Sequence, residues 1–402
     1  MYKQKLYRLL LQLFLSLVFF IFLSLYFSAQ KIFIVFVISI IFLLIKFSYK
    51  KIILINLIIF TLLLKISIIS FQKNNVSIDP SRTVIYEKHF LYGIKNLNLT
   101  YETVNGDLSS LEKNLKEKYA KLNKKKRINI ITDNLGFRNK IKPKKADYIF
   151  VGDSFLQLGN LSQKNILNYV LNNSFNIKIY NAGVGATDIS HYFETIKFFK
   201  DKLGFKNKKY VMLIFQGNDF LDYKIVKKNN YHKYINNNAL HNYFKFKIFF
   251  NFHPLIKYLL YSNEKKDEEI KKVYEYKVKN NDMLFKFDYI YKDGHKVNSL
   301  NNIFKQYENY LPDAIIFIPT KYEVYCELIN NTNCAESKHF SVLKNEPLLS
   351  KVKVFNSKNF LIDKAKQLIN TKNEFIYEVD DTHLNKKGVI YLSEFISSAL
   401  KE

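Results

Sequence analysis

Tryptophan is absent from this 402-residue chain, and methionine (3), proline (6), glycine (11) and cysteine (2) are sparse. The two cysteines, Cys326 and Cys334, have no metal-ligand spacing around them, which argues against a zinc site. In an oxidising compartment they could close a short disulfide loop, and as two thiols they are equally consistent with the sequence. Signatures of several other chemistries are missing. There is no Gly-x-Ser-x-Gly elbow, no His-Glu-x-x-His and no Walker A loop. Gly183-Val184-Gly185 lacks the third glycine of a dinucleotide-binding turn, and Asp188 close by would repel a pyrophosphate. Acidic residues are outnumbered, 35 against 62 basic ones, giving a formal charge of +27. The lysines are spread along the chain, and abundant Lys, Asn, Ile, Phe and Tyr follow from AT-rich codon usage. The charge is therefore not read as nucleic-acid binding; attraction to anionic lipid or acidic glycan suits it better.

What the chain does have is a strongly apolar beginning. Runs from Leu9 to Phe27, Ile32 to Tyr49 and Ile52 to Phe71 approach the roughly 20 residues needed to span a bilayer as helices. The first carries no charge and is too long for the apolar part of a cleaved signal peptide. The other two carry Lys46 and Lys65, which would have to reach an interface. Lys3, Lys5 and Arg8 precede the first run, and Lys46, Lys50 and Lys51 lie between the second and third, whereas only Lys31 separates the first two. The positive-inside rule then puts the N-terminus in the cytoplasm, and an odd number of spans carries everything after Phe71 outside. Residues 1–72 are thus expected to be a membrane anchor with about three transmembrane helices.

Residues 73–144 read as a polar, extended lead-in with one charged helix around Leu108 to Leu122. From 145 to 402, short apolar runs alternate with helix-length segments. Strands are expected at Asp147 to Val151, Ile177 to Tyr180, Tyr210 to Phe215, Ala314 to Pro319 and Phe360 to Ile362. Helices are expected at, for example, Gln163 to Leu171 and Ser190 to Leu203. That alternation predicts an α/β fold, a parallel sheet with helices on both faces. An insertion at about 221–300, rich in Tyr, Phe, Lys and Asn, interrupts it; a substrate-contacting lid and a plain decoration are both open readings.

Sites in such sheets form beyond the carboxyl ends of the strands. There the chain carries Gly152-Asp153-Ser154, Asn181-Ala182-Gly183-Val184-Gly185, Gln216-Gly217-Asn218-Asp219 and, before the last helix, Asp380-Asp381-Thr382-His383. A serine hydroxyl needs a base to become a nucleophile, and a base needs a carboxylate to fix its tautomer. Ser154, His383 and Asp380 fill those roles. The Ser154 N–H, a glycine N–H (Gly185 first, Gly183 next) and the Asn218 amide would meet an oxyanion. Alone, each piece has an ordinary explanation as a helix cap or a turn. Their order at successive strand ends joins them.

The ordered set GDS, glycine loop, GND and DxxH resembles the SGNH (GDSL) hydrolase superfamily over about residues 145–400. Asn134-Leu135-Gly136-Phe137-Arg138 is similar to a segment that often precedes the GDS block in membrane-linked members. The resemblance implies a flavodoxin-like three-layer α/β/α fold, no metal and no organic cofactor. It further implies action on acyl esters, with O-acetyl groups of cell-envelope glycans as the expected substrate and membrane lipid as a neighbour. On this reading the chain is a membrane-anchored esterase or acyltransferase with an extracytoplasmic catalytic domain. The alternative is a catalytically silent, membrane-anchored glycan-binding or scaffold component.

Overall fold

Apolar runs too short for helices pair edge to edge here, and the longer amphipathic stretches between them pack on the faces they leave exposed. The computed structural model describes residues 95–185, 187–220, 273–286, 300–329, 334 and 338–402, with two further strands, β1 (Val84–Glu87) and β2 (Phe90–Gly93), which form an antiparallel hairpin. The three apolar runs ending at Phe71 and most of the insertion lie outside the described residues. Among the described residues no helix is long and apolar enough to cross a membrane.

The lead-in is more structured than its polar composition suggests. β3 (Asn98–Thr103) pairs antiparallel with β4 (Lys126–Ile131), and the connection carries helix α1 (Lys113–Leu122). The expected helix is thus shorter, beginning at Lys113, because Leu108 to Leu111 form turns against a later loop.

The main sheet has five parallel strands: β5 (Tyr148–Val151), β6 (Ile179–Asn181), β7 (Lys209–Phe215), β10 (Ala314–Ile318) and β11 (Lys353–Asn356). Their order is β11-β10-β7-β5-β6. Side chains alternate between two cores, as the pleat requires. Ile149, Val151, Met212, Ile214 and Phe317 face one; Phe150, Val211, Leu213, Phe215 and Ile316 face the other. Both faces are buried, so the strands read as unbroken apolar runs. The covering helices are α2 (Ser154–Gln157), α3 (Leu167–Ser174), α4 (Ile189–Lys197), α5 (Leu300–Gln306), α6 (Lys321–Tyr325), α7 (Lys338–Lys344), α8 (Lys358–Lys372) and α9 (Lys386–Ala399).

Four of the five expected strands occur within a residue or two of their expected ends. The fifth does not: Phe360 to Ile362 belong to α8, and the edge strand is the preceding Lys353–Asn356, with two polar residues among its four. An edge strand is only partly buried, and a short apolar triplet inside an amphipathic helix imitated it. The described part of the insertion, β8 (Val273–Val278) and β9 (Asn281–Lys286), is an antiparallel hairpin. It packs on α1: Val273 and Leu284 share a core with Leu108 and Tyr119, and Lys118 Nζ reaches Glu275 and Asp282 at 2.8 and 2.9 Å. A disulfide joins Cys326 to Cys334.

Gly388, in the first turn of α9, lets that helix meet the chain at Ile376: a Cβ there would stand 2.0 Å from the Ile376 carbonyl oxygen. Glycine to alanine in an unencumbered helix gains about 1 kcal/mol. Here overpacking outweighs that gain, so Gly388→Ala is predicted to lose about 1–3 kcal/mol. Denaturant unfolding checks this, and a raised midpoint would contradict the packing described.

Candidate active site

Between β5 and β7 the chain first moves to β6 on one side and then crosses to the other, which opens a crevice at the carboxyl ends of those strands. Ser154 stands there as the first residue of α2. Asp153 caps the helix, accepting the Phe155 N–H at 2.7 Å, and Leu158 ends it with φ 49°. Arg138 holds this tight turn from behind. Its guanidinium donates to the carbonyls of Gln157, Leu158 and Leu161 at 3.0, 2.7 and 2.9 Å. The preceding turn is built for this: Asp133 Oδ1 accepts from the N–H groups of Leu135 and Phe137, and Gly136 takes φ 88°, a conformation that favours glycine. Asn139 then exchanges two hydrogen bonds with the Asn181 backbone, tying the same turn to the glycine loop.

His383 lies on a loop closed at its base by a bridge between Tyr377 and Leu384. The carboxylate that meets its ring is Asp381. His383 Nδ1 is 2.6 Å from Asp381 Oδ1, which also accepts the His383 backbone N–H at 2.9 Å, and His383 Nε2 is 2.8 Å from Ser154 Oγ. This corrects the expected role of Asp380. Asp381, two residues before the histidine, folds back as an Asx turn, while its neighbour's side chain points elsewhere. Asp380 Oδ2 instead accepts from the Gly106 N–H, the Ser109 hydroxyl and the Asn123 amide at 2.6, 2.8 and 2.9 Å. Its task is to fasten the lead-in to the loop.

Three carboxylates surround the imidazole electrostatically. Burial opposes its charge, but Asp381, then Asp107 and Asp153, outweigh burial and raise His383 to about 9. Asp381 shows the mirror image: burial disfavours its charge, and His383 holds it below the ordinary carboxylate range nonetheless. Asp153 is pushed upward by burial, against the pull of the Phe155 N–H. Ser154 Oγ lies 3.0 Å from Asp153 Oδ2 as well as 2.8 Å from Nε2. One set of atoms therefore serves two protonation states. With an imidazolium, Nε2–H donates to Oγ and the hydroxyl turns to Asp153. With a neutral ring, the hydroxyl donates to Nε2. The second state is the one in which His383 can take the serine proton.

The oxyanion expectations meet a mixed arrangement. Of the two glycines, Gly185 borders the serine: a Cβ on it would lie 3.6 Å from Ser154 Cβ, whereas Gly183 is pressed against Leu156 and gives its N–H to Asn181 Oδ1. The Gly185 N–H itself donates to Gln157 Oε1 at 3.0 Å, so Gln157 must release it before it can serve a substrate oxygen. Asn218 sits half-buried in the turn after β7. Asp219 shapes that turn by accepting the Phe215 N–H at 2.6 Å.

Two further residues escaped the sequence reading. Asp107, from the lead-in, gives its N–H to Asp381 Oδ2 at 2.9 Å and accepts the Thr382 N–H at 2.7 Å. Lys321 Nζ, buried beneath the loop, donates to the carbonyls of Leu284, Glu378, Val379 and Asp381. Burial lowers it to about 7. The charge of a lysine at the start of a helix looks solvent-facing in sequence, so neither residue carried a signal. Asp107, Asp381 and His383 also bring potential metal-ligand atoms within 4.8 Å of one another. Hydrogen bonding within the group accounts for that closeness. No protein-family model, curated protein or solved structure matches this chain.

The two neighbouring aspartates are predicted to fail differently. In Asp381→Asn, the His383 imidazole followed by NMR should titrate well below 9, nearer its ordinary range. In Asp380→Asn it should titrate close to wild type, while unfolding stability drops by about 2 kcal/mol or more. The reverse pattern would return the orienting role to Asp380.

Proposed function

We propose that this chain is a serine-dependent acyl-ester hydrolase or acyltransferase of the SGNH type. The observation that carries the reading is the continuous hydrogen-bonded relay from Asp381 through His383 to Ser154, with spacings of 2.6 and 2.8 Å. Further support comes from strand order. Numbered by sequence within the parallel sheet, the strands run 2-1-3-4-5, the flavodoxin-like order, and Ser154 follows the first of them at the switch point.

In the proposed reaction, neutral His383 takes the Ser154 proton as Oγ attacks the ester carbonyl. The tetrahedral oxyanion is met by the Ser154 N–H, by the Gly185 N–H once Gln157 has released it, and by the Asn218 amide. Collapse expels the alcohol, which receives the proton from Nε2. Water or a sugar hydroxyl then attacks the acyl-enzyme by the same route, giving hydrolysis or transfer. Asp381 holds the ring through both proton movements. The wall beside the ring is apolar: Phe155 lies 5.1 Å from it, centroid to centroid, and stacks on Phe215 at 3.9 Å.

The apolar runs before Phe71 favour a membrane anchor with the sheet domain outside the cytoplasm. The Cys326–Cys334 disulfide supports that side, because such bonds persist in oxidising compartments. O-acetyl groups on envelope glycans are the proposed substrate, a choice that rests on the resemblance of the sequence blocks.

Turnover of p-nitrophenyl acetate by the full chain in detergent tests the reading against Ser154→Ala. The expected loss is on the order of 10⁶-fold in kcat, with labelling by a fluorophosphonate confined to the wild type. Equal turnover by a folded Ser154→Ala protein would sink the proposal.

A further inference from the structure

We propose that Asp107 is a second positioning carboxylate for His383, so that the segment before the sheet domain completes the site. The chemical meaning of this inference rests on the serine-hydrolase reading; its geometry does not.

Asp107 is held on three sides. Its N–H donates to Asp381 Oδ2, its Oδ1 accepts the Thr382 N–H at 2.7 Å, and its Oδ2 is left 3.9 Å from His383 Nδ1. The side chain is only 18% exposed, unlike a solvated surface carboxylate. It cannot back away, because the residue before it is wedged against the loop: a Cβ on Gly106 would stand 2.3 Å from the Asp380 carbonyl oxygen. One oxygen of Asp107 is thus committed to the loop backbone, and the other is directed to the edge of the ring that Asp381 already occupies.

Two carboxylates at one imidazole edge select the imidazolium. His383 is faced by Asp381, Asp107, Asp153 and the Ser154 hydroxyl; Asp107 is faced by Asp381 and His383, with the Lys321 ammonium acting through space. The electrostatics agree with the geometry. Burial and then the charge of Asp381 push Asp107 up to about 6, against the pull of His383 and the Thr382 N–H. Asp107 adds to the rise of His383. Removing its charge must lower the affinity of His383 for its proton, so the neutral, proton-accepting form of the base appears at lower pH. Removing its contacts loosens the loop and lowers the rate that this form supports.

The test uses the full chain in detergent with Asp107→Asn, which keeps an acceptor for Thr382, and Asp107→Ser. Two readouts are followed across pH: the rate at which a fluorophosphonate labels Ser154, and the titration of the His383 imidazole by NMR. The expected result is a downward shift of both midpoints by about one pH unit, with a several-fold lower labelling plateau. A merely structural role would lower the plateau and leave the midpoint alone. Midpoints at the wild-type value in a folded variant overturn the inference. So does failure of both variants to fold, which would make Asp107 a folding residue. If wild-type Ser154 is labelled at no pH, the serine-hydrolase reading fails, and the imidazole titration still decides Asp107 by whether its midpoint drops.

Discussion

The carbonyls of Leu284, Glu378, Val379 and Asp381 converge on one buried ammonium group, that of Lys321. The rest of the site depends on this contact. A loop between an isolated bridge and a helix has few backbone partners of its own, and its unpaired carbonyls would be costly to bury. Lys321 gives Glu378, Val379 and Asp381 of the loop a common donor from beneath and ties them to Leu284 of β9, whose N–H also reaches the Val379 carbonyl. It also sets positive charge behind a concentration of negative charge, Asp380, Asp381, Asp107 and Glu378, all of which act on it. The backbone is thereby fixed tightly enough for two adjacent aspartates to do unrelated work, one bracing the imidazole and the other binding the lead-in.

The serine side of the site is held by a different device. Arg138 gathers the carbonyls of the turn after α2, and Asn139 and Asn181 lock the glycine loop beside it. Neither Arg138 nor Asn139 lies in the parallel sheet. The crevice between β5 and β7 is thus furnished from outside: the turn at residues 133–139 supports the serine, and Gly106 to Ser109 with the β8–β9 hairpin support the histidine loop. The sheet supplies position and its attachments supply rigidity, as a geometry held to fractions of an ångström demands.

Much of this was legible in sequence, for a physical reason. Central strands buried on both faces cannot hide their apolar runs, so Ala314 to Ile318 and Lys209 to Phe215 are legible almost to the residue; Ser154 follows such a strand and His383 precedes a capped helix, and the fold brings the two within 2.8 Å. The edge strand Lys353–Asn356 was missed because partial exposure lets polar residues in. Asp380 was mistaken for Asp381 because spacing fixes which residues are near one another, but not which way adjacent side chains point. Asp107 and Lys321 were missed for another reason. They reach the loop from 274 and 60 residues away, through contacts with backbone groups that leave no pattern in their neighbours. The hold of Gln157 on Gly185 spans 28 residues and is visible only in three dimensions.

The junction between the lead-in and the histidine loop combines main-chain groups with a few side chains. The N–H of Gly106, Asp107, Ser109 and Thr382 and the carbonyl of Asp380 supply five of its hydrogen-bonding ends. A contact written in backbone asks for the path of the chain and is almost indifferent to the side chains that decorate it. Where only backbone meets the loop the side chain is open to change, whereas Gly106, Asp107, Ser109 and Asn123 present groups of their own to it.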